Sequence, residues 1–347
     1  MKKLTLLVIF ALLVVSSAYC QSKPSFIINN KTVDFHAHPV TNEFRDGIKE
    51  LGIDVIKEDG FPMPEWSVEA HKAFMAEAKI DYTVLSPATP HVYNGNNKKA
   101  REVARKVNQS IAKVCRSNPD SFGFVACLPL PDVKGSIEET RYAMDKLGAI
   151  GVKLSSNSYG VYLGDKSFEP LMAELNDRKA LVIIHPARAR EKPDNVVTGK
   201  VAAIYEYPAD TTRAVLNMMA NKVMTRYPNI KFVVPHVGSF LPYMLQRFNS
   251  VVGVLAARGM MEPVDIQNEF KNLYFDIAGD PEPVALDMLL MVTDINHVVY
   301  GSDFPYVAGK AIIGKKKHFE NNEKYKPIIE YIYHKNAVKL LEAIDER

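Results

Sequence analysis

Short apolar runs alternate along this chain with longer stretches whose apolar residues fall at helical spacing. The first run, Thr32-Val33-Asp34-Phe35, leads into His36-Ala37-His38. A long segment from Pro39 to Trp66, with Pro62 and Pro64 near its end, interrupts the rhythm and predicts an irregular insertion. Ser67 then caps a helix carrying Val68, Ala70, Phe74 and Met75. Further strands are predicted over 81–86, 122–128, 150–154, 181–184, 232–234, 273–277 and 298–300. Between them the spacing predicts helices over 99–117, 168–178, 241–257 and 283–292, one starting near Asp210, and one opened by the capping box Ser136-Ile137-Glu138-Glu139.

Strands that are apolar throughout are buried on both faces, as in a parallel sheet covered by helices. Eight of them, nearly all followed by helices, predict an α/β fold: a single (β/α)8 TIM barrel with a long insertion after strand 1. A doubly wound open sheet would place a Gly-rich phosphate loop after the first strand, and this chain has none there.

The first twenty residues stand apart from this pattern. Lys2 and Lys3, the apolar stretch Leu4 to Val15 and the small-residue exit Ser16 to Cys20 read as an export signal, too short to span a bilayer. A lipoprotein signal would want a small residue where Tyr19 stands, so simple export to the periplasm or the exterior, with cleavage before Gln21, is the expectation. Residues 21–347 then form the barrel, and no later segment is apolar enough to cross a membrane. The formal net charge of +3 includes the two leading lysines, so the remainder is close to neutral and no nucleic-acid partner is expected. Cys115 falls in a predicted helix and Cys127 in a predicted buried strand, so no disulfide framework is expected.

The polar residues that end the strands change the picture most. In a strand, residues i and i+2 share a face, so His36 and His38 point the same way. His185 closes the run Leu181 to Ile184, His236 follows Phe232 to Val234, and Asp303 follows Val298 to Tyr300. A barrel gathers such strand ends into one mouth, and mixed imidazole and carboxylate ligation suits one divalent first-row ion, zinc first and manganese next. Lys153, ending strand 4, reads as a structural ammonium or a substrate contact, with bridging of a second metal the alternative. His91, Arg188 and Trp66 lie where substrate contacts or ordinary packing both fit. His297 starts a strand at the opposite end of the barrel and reads as structural, while His71, His318 and His334 carry no functional argument.

Several segments together resemble the amidohydrolase superfamily, in the branch of aminocarboxymuconate-semialdehyde, γ-resorcylate and 6-methylsalicylate decarboxylases. They are Val33 to His38, Met63-Pro64-Glu65-Trp66-Ser67, Gly151 to Leu154, Ile184-His185-Pro186, Pro235 to Gly238 continuing through Leu241-Pro242-Tyr243 to Arg247, and Tyr300 to Pro305. The resemblance covers nearly the whole mature chain. It implies that His36, His38, His185 and Asp303 hold one metal, that His236 acts as acid/base or polarising group, and that Arg247 binds a substrate carboxylate. It also implies a homodimer, the family habit.

Two chemistries fit such a site. In decarboxylation the metal and Arg247 hold a small aromatic or unsaturated acid while His236 or Asp303 protonates the carbon that loses carbon dioxide. In hydrolysis of a lactone or amide, metal hydroxide attacks a carbonyl, Asp303 takes the proton and His236 stabilises the oxyanion. The segments Met63 to Ser67 and Pro235 to Arg247 are most similar to the 6-methylsalicylate type, which favours the decarboxylase. An exported metal-binding protein without turnover is the third reading.

Overall fold

The computed structural model describes residues 32–191, 195–196 and 201–345. The export-signal reading falls on residues 1–20, outside the described residues. Among the described residues ten strands form: β1 Val33–Ala37, β2 Tyr82–Leu85, β3 Phe122–Cys127, β4 Gly151–Ser155, β5 Asn157–Ser158, β6 Val161–Tyr162, β7 Leu181–His185, β8 Lys231–Val234, β9 Leu273–Asp276 and β10 Val298–Val299. Eight of them pair in the order β1-β2-β3-β4-β7-β8-β9-β10, every pair parallel. The ring closes just beyond β10, where Phe35 N–H donates to Tyr300 O at 3.0 Å, Asp303 N–H to His36 O at 2.7 Å and His38 N–H to Phe304 O at 2.8 Å. The fold is the (β/α)8 barrel, and β5 and β6 make a small antiparallel hairpin on the loop after β4 that the sequence did not signal.

Strand residues fill the two sides of the ring differently. Val33, Phe35, Val84, Leu181, Ile183 and Val299 belong to one buried cluster, to which the last helix, Asn336–Asp345, adds Leu340, Leu341 and Ile344. A larger cluster joins the other face of the strands to the surrounding helices. In β1 the neighbours Phe35 and His36 serve the inner cluster and the mouth in turn, and the β1–β2 register shifts between Asp34 and Ala37 to allow it.

Two local expectations give way. The insertion after β1 is largely helical, with helices at Asn42–Glu50 and Val55–Asp59. Thr41 caps the first by accepting from Phe44 N–H, and Phe44, Ile48 and Leu51, spaced i, i+4, i+7, bury its inner face. The helix expected to open at Ser136 begins at Val133, capped by Asp132, whose carboxylate accepts from Gly135 N–H at 3.1 Å and is gripped by Arg101 at 2.5 and 2.9 Å. Ser136 is buried inside that helix, and Glu139 accepts from Arg105 and Asn108 instead of closing a capping box.

Gly151 sets the approach of β4 to β7. A Cβ there would meet Leu181 O at 1.8 Å and Leu181 C at 2.6 Å, backbone atoms that have no freedom to move aside. Gly151→Ala is expected to destabilise the barrel by upwards of about 3 kcal/mol, read as a lowered urea midpoint at unchanged slope.

Candidate active site

The barrel brings the strand-end residues together. β1 supplies His36 and His38, β7 ends on His185, and the turns after β8 and β10 supply His236 and Asp303. His236 and Asp303 take left-handed backbone conformations, φ 57° and 62°, which are uncommon for residues other than glycine. Backbone donors hold them there: His236 N–H to Asp276 Oδ1 at 3.0 Å and Asp303 N–H to His36 O at 2.7 Å.

The imidazoles of His36, His38 and His185 are fixed through Nδ1. His38 Nδ1 lies 2.8 Å from Ser86 O, His185 Nδ1 2.9 Å from Pro186 O, and His36 Nδ1 2.8 Å from an Asp276 oxygen. Carbonyls and carboxylates accept, so each Nδ1 carries the hydrogen, and Nε2 is the atom each ring turns to the mouth, a lone pair wherever the ring is neutral. Burial holds His38 and His185 below their ordinary range, which keeps them neutral. Burial also opposes a charge on Asp303, but the imidazoles packed round it, His236 first among them, hold its carboxyl well below the carboxylate range.

Two acceptors therefore face each other. His38 Nε2 lies 3.1 Å from Asp303 Oδ1, His36 Nε2 lies 3.6 Å from the same oxygen, and His36 Nε2 is buried without a hydrogen-bond partner. Such a contact is satisfied by a cation between the groups. Ligand atoms bound at about 2.1 Å to one tetrahedral ion stand about 3.4 Å apart. The candidate ligand atoms of His36, His38 and His185 all lie within 4.8 Å of one another, as do those of His36, His236 and Asp303. The donor set fits one divalent ion.

Asp276, the last residue of β9, is the site residue that the sequence reading passed over. It is fully buried, bonds His36 and accepts from the backbone N–H of His236 and Ala278. Burial resists a proton on His36, but the Asp276 carboxylate outweighs it and pushes that imidazole up to about 9, the mark of a carboxylate that makes Nε2 a stronger donor. Asp276→Asn is expected to weaken metal binding roughly 10- to 100-fold, measured by competition with a chelator.

A cavity of about 480 Å³ opens over this cluster, lined by His236, Asp303, Phe61, Tyr207, Tyr306 and Lys315 among others. Tyr207 O–H donates to the buried Asp59 carboxylate at 2.5 Å, and Tyr306 O–H donates to Thr89 O at 3.0 Å. Burial pushes the Asp59 carboxyl up to about 6. Neither Asp59 nor Tyr207 was signalled by the sequence, because both come from the insertion and from a helix that reads as ordinary amphipathic surface.

Other candidates go elsewhere. Arg247 is exposed on helix Leu241–Ala257 and does not line this cavity, where Lys315 is the one Lys or Arg among the described residues. Lys153 is buried and donates to Ser155 Oγ at 2.9 Å, and that hydroxyl lies 3.3 Å from His91 Nδ1. His91 Nε2 bonds Leu130 O at 2.7 Å, Arg188 donates to the carbonyls of Lys57 and Glu58, and Trp66 donates to His71 Nδ1 at 3.0 Å. His297 bonds Leu273 O at the start of β9, as a structural residue should.

The amidohydrolase family profile matches residues 33–343, nearly the whole described chain. The chain belongs to the amidohydrolase family. Within it, the chain is 29% identical over 286 residues to 6-methylsalicylic acid decarboxylase of Penicillium expansum, covering 81% of this chain and 87% of the relative. It is 31% identical over 287 residues to decarboxylase yanB of Aspergillus niger, covering 79% of this chain and 77% of the relative. Among solved structures, an amidohydrolase II superposes with a TM-score of 0.83 at 28% identity, covering 90% of this chain and 99% of that one. A dihydroxybenzoic acid decarboxylase from Polaromonas, solved with manganese and 2-nitroresorcinol, superposes with a TM-score of 0.75 at 18% identity over 90% of this chain and 97% of that one, a likeness of fold. No helix among the described residues is long and apolar enough to cross a membrane.

Proposed function

We propose that this protein is a non-oxidative decarboxylase of a small hydroxylated aromatic acid, working with one divalent metal, zinc or manganese. His36, His38, His185 and Asp303 would hold the ion, which when bound supplies a Lewis acid able to chelate a carboxylate and its neighbouring hydroxyl. His236 is the proton donor. Its Nε2 stands 3.7 Å from Asp303 Oδ2, which orients the ring toward the cavity. As the carbon–carbon bond breaks, its electron pair stays on the ring carbon, which takes the proton from His236, and carbon dioxide leaves; water in the cavity returns a proton to His236. Phe61 and Tyr306, with ring centroids 5.9 Å apart, give the aromatic ring an apolar wall.

The observation that carries this reading is the placement of His236 beside the ligand set, in a chain whose relatives over four-fifths of its length carry the names of aromatic-acid decarboxylases. The test is a panel of hydroxybenzoates and small lactones offered to the metal-loaded protein. Carbon dioxide from a hydroxybenzoate supports the reading, whereas acid release from a lactone without carbon dioxide replaces it with hydrolysis. On residues 1–20 alone we also propose export, to be tested by fractionation and by sequencing of the mature amino terminus, expected at Gln21.

A further inference from the structure

β1 is irregular where it delivers its two histidines. Asp34 pairs with Thr83 of β2 and Ala37 with Leu85, so β1 has one residue more than β2 between the two pairings. A bulge of this kind bends the strand and re-aims its side chains, but it disrupts the ladder locally and is rare between parallel strands. His36, inside the bulge, donates its N–H to Asp34 Oδ1 at 2.9 Å. The side chain of β1 itself thus supplies the acceptor, in the short-range pattern that lets aspartate compete with a regular strand.

The same oxygen reaches across the seam that closes the barrel. Ser302 N–H, in the turn after β10, donates to Asp34 Oδ1 at 3.1 Å, and the Ser302 hydroxyl lies beside the same carboxylate. Ser302 N–H also stands 3.2 Å from His36 O, the carbonyl that accepts from Asp303 N–H at 2.7 Å. The approach of turn to strand is close: a Cβ on Gly301 would stand 2.8 Å from His36 Cβ and 2.9 Å from Asp276 Cβ. Asp34 is fully buried, so its two N–H partners depend on it rather than on bulk water.

One carboxylate oxygen therefore joins the strand that carries His36 and His38 to the turn that carries Asp303. The separations across that seam, 3.1 Å from His38 Nε2 to Asp303 Oδ1 and 3.6 Å from His36 Nε2, follow from how strand and turn lie against each other. Asp34 belongs to neither group of candidate ligands.

We propose that Asp34 is a positioning residue for the metal site: by holding the N–H groups of His36 and Ser302 on one oxygen, it sets the distance between the His36–His38 pair and Asp303. This rests on those residues being ligands and is independent of the reaction they serve.

Cobalt(II) tests it, because the visible spectrum of the bound ion reports the number and geometry of its ligands. The full-length protein and its variants are stripped with chelator, loaded with cobalt and titrated against a competing chelator. Asp34→Ala leaves both N–H groups without their acceptor, so cobalt affinity should fall roughly 10- to 100-fold and the spectrum of the bound ion should change. Asp34→Asn keeps an acceptor oxygen at the same reach, and its amide can donate to the Ser302 hydroxyl, so affinity and spectrum should stay close to native. A residue that only stabilises the fold would lower the urea midpoint of Asp34→Ala and leave both cobalt readouts as they are. Native affinity and spectrum in Asp34→Ala overturn the proposal, as does an Asp34→Asn that loses as much as Asp34→Ala. If Asp34→Ala does not fold, Asp34→Ser replaces it: its shorter side chain can serve His36 N–H but not bridge to Ser302, so the same losses are expected and native values again overturn the proposal. A native protein that takes up no cobalt removes the ligand set and this inference with it, whereas failure to release carbon dioxide sinks the proposed reaction alone.

Discussion

Asp303→Ala is expected to abolish turnover and to strip the protein of its metal. Asp303 is the one anion among the four proposed ligands, and its Oδ1 faces the Nε2 atoms of both His36 and His38, at 3.6 and 3.1 Å. Without it, three neutral imidazoles hold a dication with no charge to balance it. Because loss of a residue behind a ligand already costs about 10- to 100-fold in metal affinity, loss of the anionic ligand should exceed about 100-fold. Asp303 also orients His236, so metal resupplied in excess should not restore the native rate. The checks are metal content after dialysis, activity with added metal, and circular dichroism to show a folded barrel. Retention of one metal per chain at native affinity would remove Asp303 from the ligand set.

His236→Asn separates chemistry from binding. The ring leaves, but the backbone N–H that Asp276 accepts from stays, and asparagine tolerates the left-handed φ of 57° better than most residues. The four proposed ligands are untouched, so metal content should match the native protein, while turnover falls by about 10²- to 10⁴-fold, the range of a lost general acid. Loss of metal from this variant would make His236 a ligand and leave the proton donor to be found elsewhere.

The barrel was legible because most of its strands are largely apolar on both faces, the pattern of a parallel sheet covered by helices. The cluster in the mouth was legible because a barrel collects strand ends, so His36, His38, His185, His236 and Asp303 could be placed together by position alone. Asp276 escaped because a carboxylate at the end of Leu273-Tyr274-Phe275 looks like the polar stop of any strand; only the 2.8 Å contact with His36 distinguishes it. The insertion read as irregular because Pro39, Pro62 and Pro64 draw attention away from the helical spacing of Phe44, Ile48 and Leu51. Arg247 is exposed on helix Leu241–Ala257, outside the cavity of its own chain, so its part in binding a carboxylate rests on the resemblance alone. Trp66 of the segment Met63 to Ser67 bonds His71, whose ring lies 4.9 Å from that of Phe304, next to Asp303.

The account turns on a proton replacing a carboxyl group, and one experiment follows both. Carboxyl-¹³C-labelled 6-methylsalicylate, incubated with the metal-loaded protein in deuterated water, should yield labelled carbon dioxide in equal amount to a phenol carrying one deuterium at the vacated ring carbon. Recovery of the intact labelled acid, or carbon dioxide with no deuterium at that carbon, would contradict the mechanism proposed for this site.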